Sequence, residues 1–444
     1  MRRIVSSGLA ALALACAAAY PQQSTASSVY TSVAPAVVFV EAGSSKGSGL
    51  LLDSNTILTA AHVLYPHRFA RIVFSDGTEL PHVPLIAWNL LADIAVLGPV
   101  RLDFPPATPP FDTSNTLPVG AELFAIGYPG EVEPFPQPTI RHGILSRYRL
   151  WPDQDVTYLQ TDAATDVGQS GGVLASATGA VVGMTGFGGS SGHFGLAMSA
   201  ADLLPRVSAL LTGGDVPPRR GDKALAATVQ PTPIWFDLDY LWAKQAFAID
   251  AQPGDQVSFI LQSVSDLTVA IVNWSGYAIA EVDEHHPGGV ESISAVLDGP
   301  APFFLLVEQF DDRSAPVKVE GTAPLVPLTD PDDGVVLDLP VRRVGVIDYP
   351  YDVDYYLISL HAGEAVRVLV DSLLTDPLLT IDYRHSLDAT VDDDSGGGLF
   401  HLNAELLFRT EVDRVHRFVI HDPRGAVGGY TLSITRQSGR ELPN

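Results

Sequence analysis

The second half of the chain repeats itself, and this repeat constrains the fold more than any other feature. Asp239-Tyr240-Leu241-Trp242 recurs as Asp348-Tyr349-Pro350-Tyr351, and positions 239 and 348 lie 109 residues apart. Phe247-Ala248-Ile249 against Tyr356-Leu357-Ile358, and Pro253-Gly254-Asp255 against Ala362-Gly363-Glu364, keep that spacing. Asp266 to Ile271 matches Asp376 to Ile381 one residue later in register. Self-similarity at a nearly fixed offset marks two copies of one structural unit. Inside the copies, alternation such as Val366, Val368 and Val370 puts one strand face in a core. Two copies of a small antiparallel β domain are therefore expected, at residues 225–322 and 323–437.

The block before them, residues 29–212, follows a short polar linker, Ser24 to Ser28. It also reads as strands. Short β-branched runs such as Ala36-Val37-Val38-Phe39-Val40, Ile57-Leu58-Thr59 and Val181-Val182-Gly183-Met184 are broken by glycine and proline. That spacing fits a barrel or sandwich rather than βαβ units. One helix is expected from Ala200 to Leu211, between Ser199 and Gly213-Gly214. Asp215-Val216-Pro217-Pro218, within residues 213–224, reads as a linker. The expected fold class is all-β.

Composition narrows the partners. A formal charge of −25 argues against nucleic acid, whose binding needs lysine and arginine to displace counterions. One cysteine in 444 residues excludes a disulfide scaffold and a cysteine-rich zinc site. No metal and no cofactor are expected. Asp330-Pro331-Asp332-Asp333 and Asp392-Asp393-Asp394 have oxygen ligands suited to calcium, yet neither follows a calcium-loop spacing, so both read as solvated loops. Arg2-Arg3, an apolar run from Ile4 to Ala15 and Ala17-Ala18-Ala19 have the layout of an export signal, residues 1–19. Cys16 sits where a lipoprotein carries its acylated cysteine, a pattern that Leu14 fits poorly. No later run is long and apolar enough for a transmembrane span, so a secreted, periplasmic or cell-surface location is expected.

Three short stretches carry the chemistry. Thr59-Ala60-Ala61-His62 follows one strand, Ala92-Asp93-Ile94 opens another, and Gly168-Gln169-Ser170-Gly171-Gly172 surrounds a serine with glycines. A serine hydroxyl needs an imidazole to take its proton. The imidazole in turn needs an acid to fix its tautomer and stabilise its charged form. His62, Asp93 and Ser170 are the expected catalytic residues, with the backbone N–H groups of Gly168 and Ser170 as the oxyanion hole. Asp162 and Asp166 are the rival acids, disfavoured because they sit beside the serine loop. His67, His142 and His193 read as ordinary surface or barrel residues.

These residues also carry a family resemblance. Val33 to Val38 with Gly47-Ser48-Gly49, Thr59 to Leu64, Ala92 to Leu97, Ala125-Ile126-Gly127-Tyr128-Pro129, Gln160 to Ala164 and Gly195 to Met198 resemble the trypsin-like serine proteases, in their bacterial Deg-type branch. The resemblance implies two six-stranded antiparallel β-barrels with the active site in the cleft between them. Gln169 and Val173 depart from the family's usual Asp or Asn and Pro. Without an acid at 169, activation by a freed N-terminal amine has no partner. By the same resemblance Ala164 forms the base of the primary pocket, implying cleavage after small or medium apolar residues. The strand Gly183-Met184-Thr185-Gly186 is expected to pair with the substrate backbone. Each tail repeat resembles the pre-peptidase C-terminal domain, which implies two β-sandwich domains, a targeting role and a cell-surface or matrix ligand.

The leading expectation is an exported serine endopeptidase acting on polypeptide substrates through an acyl-enzyme. The alternative is an inactive adhesion or scaffold protein that keeps the protease fold. An esterase is disfavoured because the serine lacks the Gly-x-Ser-x-Gly elbow.

Overall fold

A computed structural model describes residues 25–130, 136–151, 154–163, 168–188, 194–213, 231–238, 243–283, 288–310, 315–382, 390–392 and 403–437. The expected signal with Cys16, most of the linker, Asp239 to Trp242, Ala164, Asp166, His193, Asp393 and Asp394 lie outside the described residues.

The first half forms two closed barrels. Strands β1 (Val37–Ala42), β2 (Ser45–Leu51), β3 (Ile57–Thr59), β4 (Phe69–Phe74), β5 (Glu79–Asn89) and β6 (Ile94–Leu97) close in the order 1-2-3-6-5-4. Strands β7 (Glu122–Gly127), β8 (Thr139–Trp151), β9 (Val156–Thr161), β10 (Val173–Ser176), β11 (Val181–Gly188) and β12 (Gly195–Ser199) close as 7-8-9-12-11-10. The second barrel repeats the first strand for strand, and neighbouring strands within each are antiparallel. Closure removes the exposed strand edges that invite aggregation.

Barrel residues that face outward in an isolated barrel meet here in a shared seam. Leu58, Ala92, Ile94 and Val96 from the first barrel pack with Trp151, Tyr158, Met184 and Met198 from the second. Helix α3 (Ala200–Thr212) covers this seam with Leu203, Val207 and Leu210. It matches the expected helix. The Ser199 side chain accepts the Asp202 N–H at 3.3 Å, and Gly213 at φ 70° ends the helix left-handed, where glycine carries no Cβ penalty. One expectation fails at the start of the block. Thr25–Ser28, taken as polar linker, begin helix α1 (Thr25–Val33), because Val29 and Val33, one turn apart, are both buried.

The second half forms two sandwiches that share eight strands in the same order and differ in the last strand of the facing sheet, antiparallel to its neighbour in the first copy and parallel in the second. In the first, Ile234–Leu238, Ala315–Gly321, Gln256–Gln262 and Val290–Val296 are neighbours in one sheet, in that order. The facing sheet runs Ala278–Val282, Leu267–Val272, Phe303–Gln309, Lys244–Ile249, Leu325–Pro327. The second copy places Val341–Ile347, Gly428–Gln437, Ala365–Ser372 and Ala404–Arg409 in the same order. Opposite them lie Thr390–Asp392, Leu378–Asp382, Arg414–His421, Val353–Leu360 and Val335–Val336. Each pair of sheets closes on its own apolar core, one around Phe259 and Phe303, the other around Tyr356 and Phe418. Leu325–Pro327 pairs with Phe247–Ile249, so the first sandwich runs past the boundary at 322 read from the repeat.

The sandwiches do not hang free of the barrels. The Tyr65 hydroxyl donates to the Asp348 carbonyl at 2.8 Å, and the Trp151 indole donates to Asp371 at 2.6 Å. Tyr65 also meets the Trp274 ring of the first sandwich at 5.4 Å. Gly429 lies against Leu91 so closely that a Cβ there would stand 2.7 Å from the Leu91 backbone. Val346 and Leu373 enter the cores built by the barrels.

Candidate active site

The histidine is placed by a single turn of helix. Strand β3 leads into α2 (Ala61–Leu64), where Val63 and Leu64 are buried and turn His62 toward the cleft. Ala60 offers this turn no side-chain cap. Asp93 supplies one from the start of the neighbouring strand β6: its Oδ1 accepts the His62 backbone N–H at 2.9 Å. That bond satisfies a donor that every helix start leaves open. Oδ2 of the same carboxylate meets His62 Nδ1 at 2.8 Å. One aspartate thus fixes both the backbone and the ring of His62.

Asp93 is buried (1% exposed) and sits at φ 55°, a left-handed conformation that aspartate tolerates better than most residues. Asn89 braces its approach by accepting the Ala92 N–H at 3.0 Å. The His62 side chain remains about a third exposed, at 35%. Burial pulls the imidazole pKa down, but the charge and hydrogen bond of Asp93 more than offset it. The pKa therefore lies above the ordinary 6.5. Asp162 takes no part here: its Oδ1 accepts the Ile144 N–H at 2.7 Å on an exposed strand.

Ser170 lies on the loop between β9 and β10, whose described residues 168–172 are held by hydrogen bonds. Ser48 donates its N–H to the Ser170 carbonyl at 2.8 Å and its hydroxyl to the Gly168 carbonyl at 2.8 Å. Gly171 donates to the Thr185 carbonyl at 2.7 Å, and the Thr185 hydroxyl donates to the Gln169 carbonyl at 2.6 Å. Gly168 and Gly171 have φ of 94° and 82°, and a Cβ would collide with Gly130 at the first and Ser48 at the second. Only glycine fits both demands. Among the described residues, no carbonyl accepts the N–H of Gly168 or of Ser170. Gln169 is buried and donates to the Thr139 hydroxyl at 3.2 Å, so the departure from an acid there is accommodated by a neutral hydrogen bond.

Gly186 touches Ser170 and lies beside Asp93. Its carbonyl accepts the Ser170 hydroxyl at 3.2 Å, while a Cβ on it would stand 3.8 Å from Asp93 Oδ2, the oxygen bound to His62. Nothing in the sequence singled out this role. It follows from the irregularity that drops Gly186 out of the β11 ladder between Thr185 and Phe187.

The same ladder corrects the expected substrate strand. Gly183 and Met184 are paired on both edges, with β10 on one side and β12 on the other. Thr185 pairs with Ala197 and bonds Gly171 and Gly172 on its second edge. None of the three has an edge left for a peptide. Of the four residues expected to bind substrate, Gly186 alone lies outside the ladder. Beyond it, Phe187 and Gly188 pair with β12 on one side and, among the described residues, with no strand on the other.

Comparison with known proteins accords with this geometry. Residues 47–184 match the family described as trypsin-like peptidase domain. The mitochondrial serine protease HTRA2 of Bos taurus is 33% identical over 174 residues, 35% of this chain and 37% of the relative. A probable periplasmic serine endoprotease, DegP-like, from Pseudomonas savastanoi is 36% identical over 160 residues, 35% of this chain and 32% of the relative. A serine endoprotease structure from Yersinia pestis is 26% identical, covering 44% of this chain and 68% of that one, at a TM-score of 0.38. The fold assignment rests on the barrel topology, not on that superposition. The chain spans less than half the length of the curated relatives it matches.

Proposed function

From the premise that residues 47–184 are a trypsin-like peptidase domain related to the HtrA/DegP serine proteases, we propose that this protein is an exported serine endopeptidase. The observation that carries the reading is that Gly186 touches the Ser170 hydroxyl and lies beside Asp93, the partner of His62.

In this reading His62 Nε2 takes the Ser170 proton as Oγ attacks a peptide carbonyl. Asp93 holds Nδ1 protonated and stabilises the imidazolium. The tetrahedral oxyanion enters the space faced by the Gly168 and Ser170 N–H groups, each donor contributing about 3–4 kcal/mol in comparable sites. Imidazolium then protonates the leaving amine, and water releases the acyl group by the same steps. The substrate backbone adds along Gly186 to Gly188, the open edge of β11. The family resemblance assigns Ala164 to the pocket base, which would favour a small or medium apolar residue before the cut, since a buried lysine or arginine would lack a counter-charge.

Export follows the amino-terminal pattern at residues 1–19, and the DegP-like relative is described as periplasmic. No described helix is long and apolar enough to cross a membrane. We read the two sandwiches as pre-peptidase C-terminal-like modules. Their contacts at Tyr65, Leu91 and Trp151 support a bracing role for the catalytic domain beside the targeting role.

The test is cleavage of an unstructured protein such as casein by the wild type and by Ser170→Ala. Cleavage lost in the variant supports the reading. Cleavage by neither favours the inactive scaffold.

A further inference from the structure

The second sandwich buries acids that the proposed chemistry does not use. Asp352 and Asp354 are fully buried at the head of the strand Val353–Leu360, and Asp330 lies on the segment before the sandwich. The expectation of a solvated loop at Asp330 to Asp333 therefore fails in part. Asp332 is buried because Arg343 reaches across the sandwich to pair with it at 2.8 Å.

Asp330, Asp352 and Asp354 each present a carboxylate oxygen within 4.8 Å of the other two. Donors meet some of their oxygens. Asp330 Oδ1 accepts the Asp332 N–H at 2.6 Å, and Asp352 accepts the N–H groups of Asp348 at 2.7 Å and Val353 at 2.9 Å. The Tyr430 hydroxyl donates to Asp354 Oδ2. Asp354 Oδ1 and Asp330 Oδ2 are shut off from water and have no donor among the described residues. Three carboxylates facing one another, two of them fully buried, are strongly unfavourable unless a cation stands between them or protons neutralise them.

The first sandwich shows that the fold does not require these acids. Ala243 and Gln245 occupy the positions 109 before Asp352 and Asp354. Gln245 is satisfied as a neutral amide, donating to the carbonyls of Ala246 and Leu328 at 2.9 Å. The eight strands that the two copies share form in the first with neutral residues at these positions, so that common frame does not depend on the acids of the second copy.

We propose that Asp330, Asp352 and Asp354 bind a hard divalent cation of the calcium class, which fastens the second sandwich to the helix that carries His62. A separation of 4.8 Å is about twice a calcium–oxygen distance of 2.3–2.6 Å, so one ion can touch all three oxygens. An all-oxygen set disfavours zinc, which prefers nitrogen and sulfur. Magnesium demands shorter bonds and near-ideal octahedral geometry. The fastening runs through Asp348. Its N–H is held by Asp352, and its carbonyl accepts the Tyr65 hydroxyl at 2.8 Å, immediately after α2.

The test uses the full chain carrying Ser170→Ala, which prevents self-cleavage, after treatment with chelator. Calorimetric titration with calcium chloride should give one ion per chain, with magnesium chloride binding at least tenfold more weakly. Saturating calcium should raise Tm by about 5–10 °C and slow hydrogen exchange at 61–65. Asp354→Asn and Asp330→Asn should each weaken calcium binding at least tenfold. Both should keep the parent's far-ultraviolet circular dichroism and melt no lower than the parent in chelator. No heat and no Tm shift in the parent overturns the site, as does undiminished binding by both variants. A Tm that responds to acid but not to calcium identifies protons as the neutralising species and also overturns it. Unchanged exchange at 61–65 on calcium binding overturns the fastening. These readouts do not use proteolysis, so their failure is distinct from failure of the endopeptidase reading.

Discussion

Asp93 and Asp354 are both cut off from water, at 1% and 0% exposure, yet their surroundings are opposite. Asp93 faces donors: one oxygen holds the His62 backbone and the other the His62 ring. Asp354 faces other acids, with one oxygen on Tyr430 and one without a donor among the described residues. Burial alone therefore says little about a carboxylate. An acid surrounded by donors positions its neighbour, whereas an acid surrounded by acids calls for a cation. Asp371 resembles Asp93, since the Trp151 indole and the Asn403 amide both donate to it.

The sharpest way to break this contrast is to neutralise the first acid. Asp93→Asn should lower kcat by about 10⁴-fold, the loss seen when a triad acid becomes an amide that holds the wrong tautomer. A loss below tenfold, measured on a peptide substrate, would place Asp93 outside the catalytic group.

Titration gives the next largest effect. His62 must be neutral to accept the serine proton, and its pKa lies above 6.5. The rate should fall about tenfold per pH unit once the pH drops below that raised value. Stability runs the other way. The protonated His62–Asp93 pair contributes fully below about pH 6.5, and the contribution is lost as pH rises through the raised value. A kcat/KM profile with its acid limb below 6.5 would contradict the pairing.

At the seam, Trp151→Phe removes the donor to Asp371 and leaves a smaller ring in a packed site. The expected cost is about 2–4 kcal/mol in chemical denaturation. If the cost is near zero, the contact between barrel and sandwich is not a stabilising one. Tyr65→Phe is the mildest probe: about 1 kcal/mol of stability and a few-fold lower kcat, because one hydroxyl–carbonyl bond behind α2 is lost. An unchanged kcat would confine Tyr65 to packing.

Local features of the chain were legible in its sequence. Strand punctuation and the motifs around His62, Asp93 and Ser170 pointed to the barrels, and the offset of 109 pointed to twin antiparallel domains. What escaped depends on partners distant along the chain. Thr185 looked open to substrate because no local pattern tells that Gly171 and Gly172 occupy its second edge. Asp330-Pro331-Asp332-Asp333 has the composition of a solvated turn, and Arg343 and the strand carrying Asp354 draw it inward. The docking of Gly429 on Leu91 joins residues more than 300 positions apart, with no periodic signature in either. Ser24 to Ser28 read as linker because serine and threonine are poor helix formers, and the buried Val29 and Val33 override that preference.

The most direct measurement is reaction of the wild-type chain with a serine-directed fluorophosphonate, followed by intact-mass analysis and peptide mapping. The account predicts a single adduct, on Ser170, formed faster as pH rises through the His62 titration and absent in His62→Ala. No adduct, or one on another serine, would contradict it.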